Sequence, residues 1–149
     1  MQLRQILIPI DFSGYSDQAL RWGGSLAQKY GAQLLLLHAI PEVLGEVSAR
    51  ESAGEQRVID LTAEVESQLH EMARQGLKEG VAVQVRLADG EPAGAILRLV
   101  HEEGVDLIVM GTHGRTGLSH LLLGSTAEAV VRAAACPVFT VRAVATQAP

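Results

Sequence analysis

Short apolar runs alternate with helix-period patterns along the whole chain, and that alternation restricts it to folds built from repeated βα units around a parallel sheet. The first run, Ile6-Leu7-Ile8 leading into Pro9, is continuously apolar, as a strand covered on both faces must be. Leu34 to Leu37 form a second such strand, ending near His38 and Ala39. Val81, Val83, Val85 and Leu87 alternate with more polar residues, which predicts a half-buried strand at a sheet edge. Val105 to Met110 and Pro137 to Arg142 complete five strands.

Between them lie four helical patterns. The spacing predicts a helix from about Ser16 to Tyr30, with Ala19, Trp22, Leu26 and Tyr30 on its inner face, Ser16 as N-cap and Gly31 as the stop. Pro41 to Gly54 reads as a long loop. The second helix carries Val58, Leu61, Val65, Leu69 and Met72 inward and closes at Gly76 or Gly80. Pro92 suits the first turn of a third, pinned by Ile96, Leu97 and Val100 and ended by Gly104. The fourth starts at Ser125 or Thr126 and runs to about Ala135. The order is βαβαβαβαβ, a single Rossmann-like α/β domain over residues 1–142, with 143–149 as a flexible tail.

Composition narrows the class. Apolar residues make up 48% of the 149 and aromatics only 3%, so the core is aliphatic. A chain of this length can remove roughly two-thirds of its unfolded surface from water. The net charge of −5 argues against nucleic acid, whose phosphates need clustered Lys and Arg. Cys136 is alone, so no internal disulfide forms. The opening residues read as no signal peptide, and no stretch approaches the roughly 20 apolar residues of a membrane span. A cytoplasmic protein without membrane partners is expected.

In sheets of this kind ligands bind beyond the carboxyl ends of the strands, where the winding reverses. Pro9–Asp11, Ala39–Ile40, Asp89–Gly90 and Met110–Thr126 are therefore the candidate segments. The last contains Gly111-Thr112-His113-Gly114, nine residues, then Gly124-Ser125-Thr126, between an apolar strand and a helix. Glycines let backbone approach a ligand and adopt positive φ, and amides at a helix start can face an anion. The Ser125 and Thr126 hydroxyls add donors, so the loop suits an oligophosphate. It lacks the lysine of a G-x-x-x-x-G-K-[ST] loop, and the first strand lacks the G-x-G-x-x-G of dinucleotide folds.

Ile8-Pro9-Ile10-Asp11-Phe12-Ser13, Leu37-His38-Ala39, Gly90-Glu91-Pro92, Val109 to Arg115 with Gly124-Ser125-Thr126, and Cys136 to Arg142 together resemble the universal stress proteins over essentially the whole chain. The glycine spacing, two residues and then nine with a terminal Ser, is similar to that of the family's ATP-binding branch. The resemblance implies a five-stranded parallel sheet in the order 3-2-1-4-5, with the reversal between the Asp11 and Gly111 loops. Carried over by position, Pro9, Ile10 and Asp11 line the nucleotide, with Asp11 near the phosphates or their Mg or Mn ion. Ala39 contacts adenine, and Met110, Gly111, Gly114, Gly124, Ser125 and Thr126 hold ribose and phosphates. His113 and Arg115 lie in the same loop. A homodimer through Val138, Phe139, Thr140 and Val141 is also implied, and an apolar edge strand there invites it on physical grounds.

Simpler readings stand beside these. Ser125 and Glu128 match a capping box, and Asp11 after a strand can bond its own turn. His38 reads as a strand-end ring hydrogen-bonded to neighbours, and Cys136 as a small buried hydrophobe. The chain offers no clear general base, phosphate-loop lysine or nucleophile triad, so an ATP-binding regulatory or stress-response protein is expected. A slow ATPase or nucleotide-processing enzyme, and a dimeric interaction module that makes no use of ATP, are the alternatives.

Overall fold

Five parallel strands lie in the order β3-β2-β1-β4-β5, as expected. In this computed structural model residues 2–40, 52–114 and 123–142 are described. The elements are β1 (Gln5–Pro9), α1 (Gly14–Tyr30), β2 (Gln33–Ile40), α2 (Ser52–Gly76), β3 (Val83–Asp89), α3 (Pro92–Glu103), β4 (Leu107–Gly111), α4 (Ser125–Ala133) and β5 (Val138–Val141). β1 sits at the centre, pairing Gln5 with Gln33 of β2 and Ile6 with Leu107 of β4. The winding reverses there, between β1 and β4.

Successive strand residues face opposite sides, which explains the unbroken apolar runs. Ile6, Ile8, Leu34, Leu36 and Val109 pack with Leu20 of α1 and Leu69 of α2. Leu7, Leu35, Leu37, Ile108 and Met110 pack on the other side with Ile96 and Leu99 of α3 and Val130 of α4. β3 is an edge strand as its period-two pattern predicts, with only Val83, Val85 and Leu87 turned to the first cluster.

Three helix readings need correction. α1 begins at Gly14, not Ser16, because Ser13 is the N-cap and its Oγ accepts from the Ser16 amide. Ser16 is buried, and its hydroxyl donates to the Ser13 carbonyl. The inner face of α1 is Ala19, Leu20, Gly23, Gly24 and Ala27, while Trp22 and Tyr30 are 52% and 57% exposed. Small residues let α1 lie close on the sheet: a Cβ at Gly23 would overlap the Ile8 side chain. Trp22 is thereby turned to the flank, where its ring lies 5.8 Å from that of Phe139. α2 already includes residues 52–54, which the sequence reading placed in a loop, and residues 41–51 lie outside the described set. Its C-terminal half carries the packing through Leu69 and Ala73, whereas Leu61 is exposed.

The stops behave as read. Gly31 adopts φ 67 and its amide donates to Ala27 O, a left-handed cap that costs a residue with Cβ about 1 kcal/mol. Pro92 opens α3 behind Glu91, whose carboxylate accepts from the Ala93 and Gly94 amides. No helix among the described residues is long and apolar enough to cross a membrane.

Cys136 is half-buried beside the second cluster. Burial, and then the Asp106 carboxylate, push its thiol above the ordinary cysteine value. The thiolate is the reactive form. Alkylation by iodoacetamide at pH 8 should therefore run more slowly in the native protein than in the denatured chain, and equal rates would show that the site is open.

Candidate functional site

The cleft opens at the β1–β4 reversal, where the strand-end argument put it. Its volume is about 250 Å³. Pro9, Ile10, Asp11, Ala39, Met110, Gly111, His113, Gly114, Gly124, Ser125 and Thr126 all line it. Arg115 lies outside the described residues.

The β1 side is built by a tight turn. The Ile10 amide donates to Leu37 O at 2.7 Å, extending the strand pairing by one residue. His38 Nδ1 lies 2.7 Å from Ile10 O. A carbonyl only accepts, so Nδ1 carries the proton. Asp11 Oδ1 then accepts from the Ser13 amide at 2.9 Å, which is the simple turn role foreseen for it. That bond uses one carboxylate oxygen. The other, Oδ2, faces Gly114, where an added Cβ would lie 2.8 Å away. Phe12, between them, has φ 63, the one positive φ of a non-glycine among the described residues.

The β4 side folds back on itself. The Thr112 amide donates to Val141 O at 2.9 Å, and the Gly124 amide to Thr112 O at 2.6 Å, so both ends of the loop are fixed. Thr112 is buried, and its Oγ1 shares a hydrogen bond of 2.9 Å with His113 Nδ1. The Tyr15 ring lies 5.4 Å from the His113 ring.

None of the described loop glycines, Gly111, Gly114 and Gly124, uses positive φ; the described glycines that do are Gly31, Gly80, Gly90 and Gly104. Close approach explains them instead. A Cβ at Gly111 would fall 2.6 Å from Tyr15 Cβ and 3.1 Å from its backbone carbon, so Gly111 lets α1 pack on β4. A Cβ at Gly124 would press on Thr112 O at 3.1 Å. Gly114 alone has the cleft-facing Asp11 carboxylate as its neighbour.

The capping box does not form. Gly124 is the N-cap of α4 and offers no side chain, Ser125 stands inside the helix, and Glu128 accepts from Arg132 at 2.8 Å. Among the described residues no side chain caps the first amides of α4, which makes them candidate donors toward the cleft.

Sequence reasoning missed Ser16, Leu37, His38, Pro92, Ile96 and Ala127 as lining residues, and gave Thr112 no role although it lies inside the candidate segment Met110–Thr126. Pro92 and Ile96 were read only as a helix start and a sheet contact. Their place directly after the suspected Asp89–Gly90 strand end was the available signal. The dimer residues divide: Phe139 and Thr140 face outward, Val138 is half-buried, and Val141 is 5% exposed in the core.

The model of the universal stress protein family matches residues 2–142. The chain belongs to this family. A universal stress protein of Thermus aquaticus is 37% identical over 142 residues, covering 93% of this chain and 98% of its own. The solved structure of protein MJ0577, from Methanocaldococcus jannaschii, superposes with a TM-score of 0.81 at 30% identity, over 95% of this chain and 97% of that one. A universal stress protein from Archaeoglobus fulgidus, solved in complex with dAMP, shares the fold at a TM-score of 0.65 and 22% identity, over 94% and 98%. The five-stranded sheet in the order 3-2-1-4-5 is thus this universal stress protein's fold, as the resemblance implied.

Proposed function

We propose that the cleft binds an adenine nucleotide, ATP, and that this universal stress protein acts as a nucleotide-responsive regulatory module and not as a dedicated enzyme. The observation that carries this is the mixed lining of the cleft, in which apolar side chains meet the uncapped start of α4. Pro9, Ile10, Leu37, Ala39 and Ile96 suit a flat base. The uncapped start of α4, with the Ser125 and Thr126 hydroxyls, suits phosphate oxygens. A volume of about 250 Å³ lies just below the range usual for small-molecule sites, roughly 300–1,000 Å³. In this reading base and ribose enter the cleft and the phosphate tail runs along the helix start. The dAMP held by the Archaeoglobus protein supports the choice of an adenine nucleotide.

Asp11 is a lone carboxylate at the phosphate end, and no group of three or more His, Cys, Asp or Glu converges among the described residues. That suits an ion brought by the nucleotide, since Mg²⁺ is commonly held by one or two carboxylates plus phosphate oxygens. Asp11 would hold Mg²⁺ or Mn²⁺ through Oδ2 while Oδ1 keeps its turn bond. Such an ion would neutralise phosphate charge.

The direct test is to denature the purified protein and identify the released small molecule by mass spectrometry. ATP or ADP near one per chain is expected; a protein without nucleotide that also fails to bind added ATP would sink the reading. A steady-state phosphate-release assay on the same sample separates binding from hydrolysis.

We also propose that β5 pairs with a second copy. It is an edge strand, and beside it Phe139, 41% exposed, and Trp22 form an apolar patch. Sedimentation at micromolar concentration should show a dimer, and Phe139→Glu should yield a folded monomer. A wild-type monomer refutes the pairing. Val141 is unsuitable for this test because a charge there would break the core.

A further inference from the structure

We propose that His38 is a positioning residue that clamps the turn carrying Asp11, so that the carboxylate stays aimed across the cleft at Gly114. The proposal deepens the nucleotide reading above and rests on it for its functional half only.

The turn's own Ser13–Oδ1 bond is not its sole support. Phe12 sits at φ 63, a region where a bulky residue is strained and where strain persists only if the surroundings enforce it. Three contacts fix the segment. The Ile10 amide donates to Leu37 O from one side. His38 Nδ1 donates to Ile10 O at 2.7 Å, so the residue before Asp11 is held at both its amide and its carbonyl. The His38 ring also lies against the Phe12 ring, with centroids 4.9 Å apart at 51°. One side chain on β2 thus grips the residue before Asp11 by a hydrogen bond and the residue after it by its ring face. Without that grip Phe12 can relax toward negative φ. The peptide on either side of Asp11 then rotates, and both the Ser13–Oδ1 bond and the direction of Oδ2 change with it.

The hydrogen bond, not the ring, sets the peptide orientation. Asn places an amide donor close to the position of Nδ1, and Leu places none. The test compares His38→Leu and His38→Asn with wild type in two measurements. The first is amide hydrogen exchange of Ser13 in nucleotide-free protein, which needs no ligand. It should speed up about tenfold in His38→Leu and less than about twofold in His38→Asn, as loss of one partly buried hydrogen bond would give. The second is ATP affinity by calorimetry, which should weaken about tenfold in His38→Leu and be restored to within about twofold by Asn.

Unchanged Ser13 exchange in a folded His38→Leu protein overturns the clamp. Equal loss in both variants overturns it too, since it would assign the effect to the ring. Should the exchange pattern appear as expected while wild type fails to bind ATP, the clamp stands and the nucleotide reading falls.

Discussion

Gly114→Val is expected to weaken ATP binding by at least about a hundredfold, equivalent to about 2.7 kcal/mol, while the protein stays folded. A Cβ at that position already comes within 2.8 Å of Asp11 Oδ2, and the two further methyl groups of valine would occupy the space beside it. Asp11 must then swing away, and the branched side chain blocks the approach of phosphate to the loop. The fold should survive because Gly114 is half-buried at the cleft mouth and the contact is with a side-chain end. A stability change within about 1 kcal/mol is expected by urea titration. Gly111→Val provides the contrast. Its added Cβ would meet Tyr15 Cβ at 2.6 Å and Tyr15 backbone at 3.1 and 3.2 Å, and backbone in a packed helix cannot step aside. α1 has to lift from β4, at about 2–3 kcal/mol, lowering Tm by roughly 5–10 °C for a chain of this size. Two glycines three residues apart thus separate a binding role from a packing role. ATP affinity unaltered in folded Gly114→Val would remove the loop from the site.

That separation also marks where the sequence stopped being legible. The spacing of Gly111, Gly114 and Gly124 pointed to a loop that lines the cleft, but it carried no sign that Gly111 answers to Tyr15 on another helix and Gly124 to Thr112 within the loop. Close approach between distant segments has no local signature. The same blindness reversed the face of α1. Trp22, Leu26 and Tyr30 repeat with a helical period, yet the helix turns Gly23 to the sheet and Gly24 to Leu77 after α2, because separation, not hydrophobicity, is limiting there. Patterns dictated by the element itself read well: unbroken apolar runs for β1 and β2, alternation for the edge strand β3, Gly31 and Gly104 as left-handed stops. The strand ends alone gave the candidate segments of the cleft, and the order that the family resemblance implied placed it between Asp11 and Gly111, which end neighbouring strands on either side of the reversal. His38 was read as a satisfied strand-end histidine, and it is one. Nothing in the sequence showed that its partner is the carbonyl next to Asp11.

Asp11→Asn should remove most of the metal dependence of ATP binding without disturbing the turn. The turn needs only an acceptor at Oδ1 for the Ser13 amide, and the Asn side-chain carbonyl supplies one at the same place. Backbone geometry and stability are therefore expected to stay within about 0.5 kcal/mol of wild type. The charge is what changes. In the native protein Oδ2 faces the loop that is proposed to hold the phosphate tail, and two negative groups at close range repel strongly where water is partly excluded. The described lining of the cleft contains no lysine or arginine to offset them. A divalent ion shared between Asp11 and the phosphates resolves the conflict, so wild type should bind ATP about tenfold more tightly with Mg²⁺ than with EDTA. In Asp11→Asn the Mg²⁺ affinity should fall and the EDTA affinity should hold or rise, bringing the two within about threefold, because neutralising one charge removes both the ligand and the repulsion. Calorimetric titrations of both proteins in both conditions supply the four constants. An equal Mg²⁺ effect in wild type and variant would leave Asp11 as a turn residue alone, and the ion, if bound, would then be held by the phosphates without it.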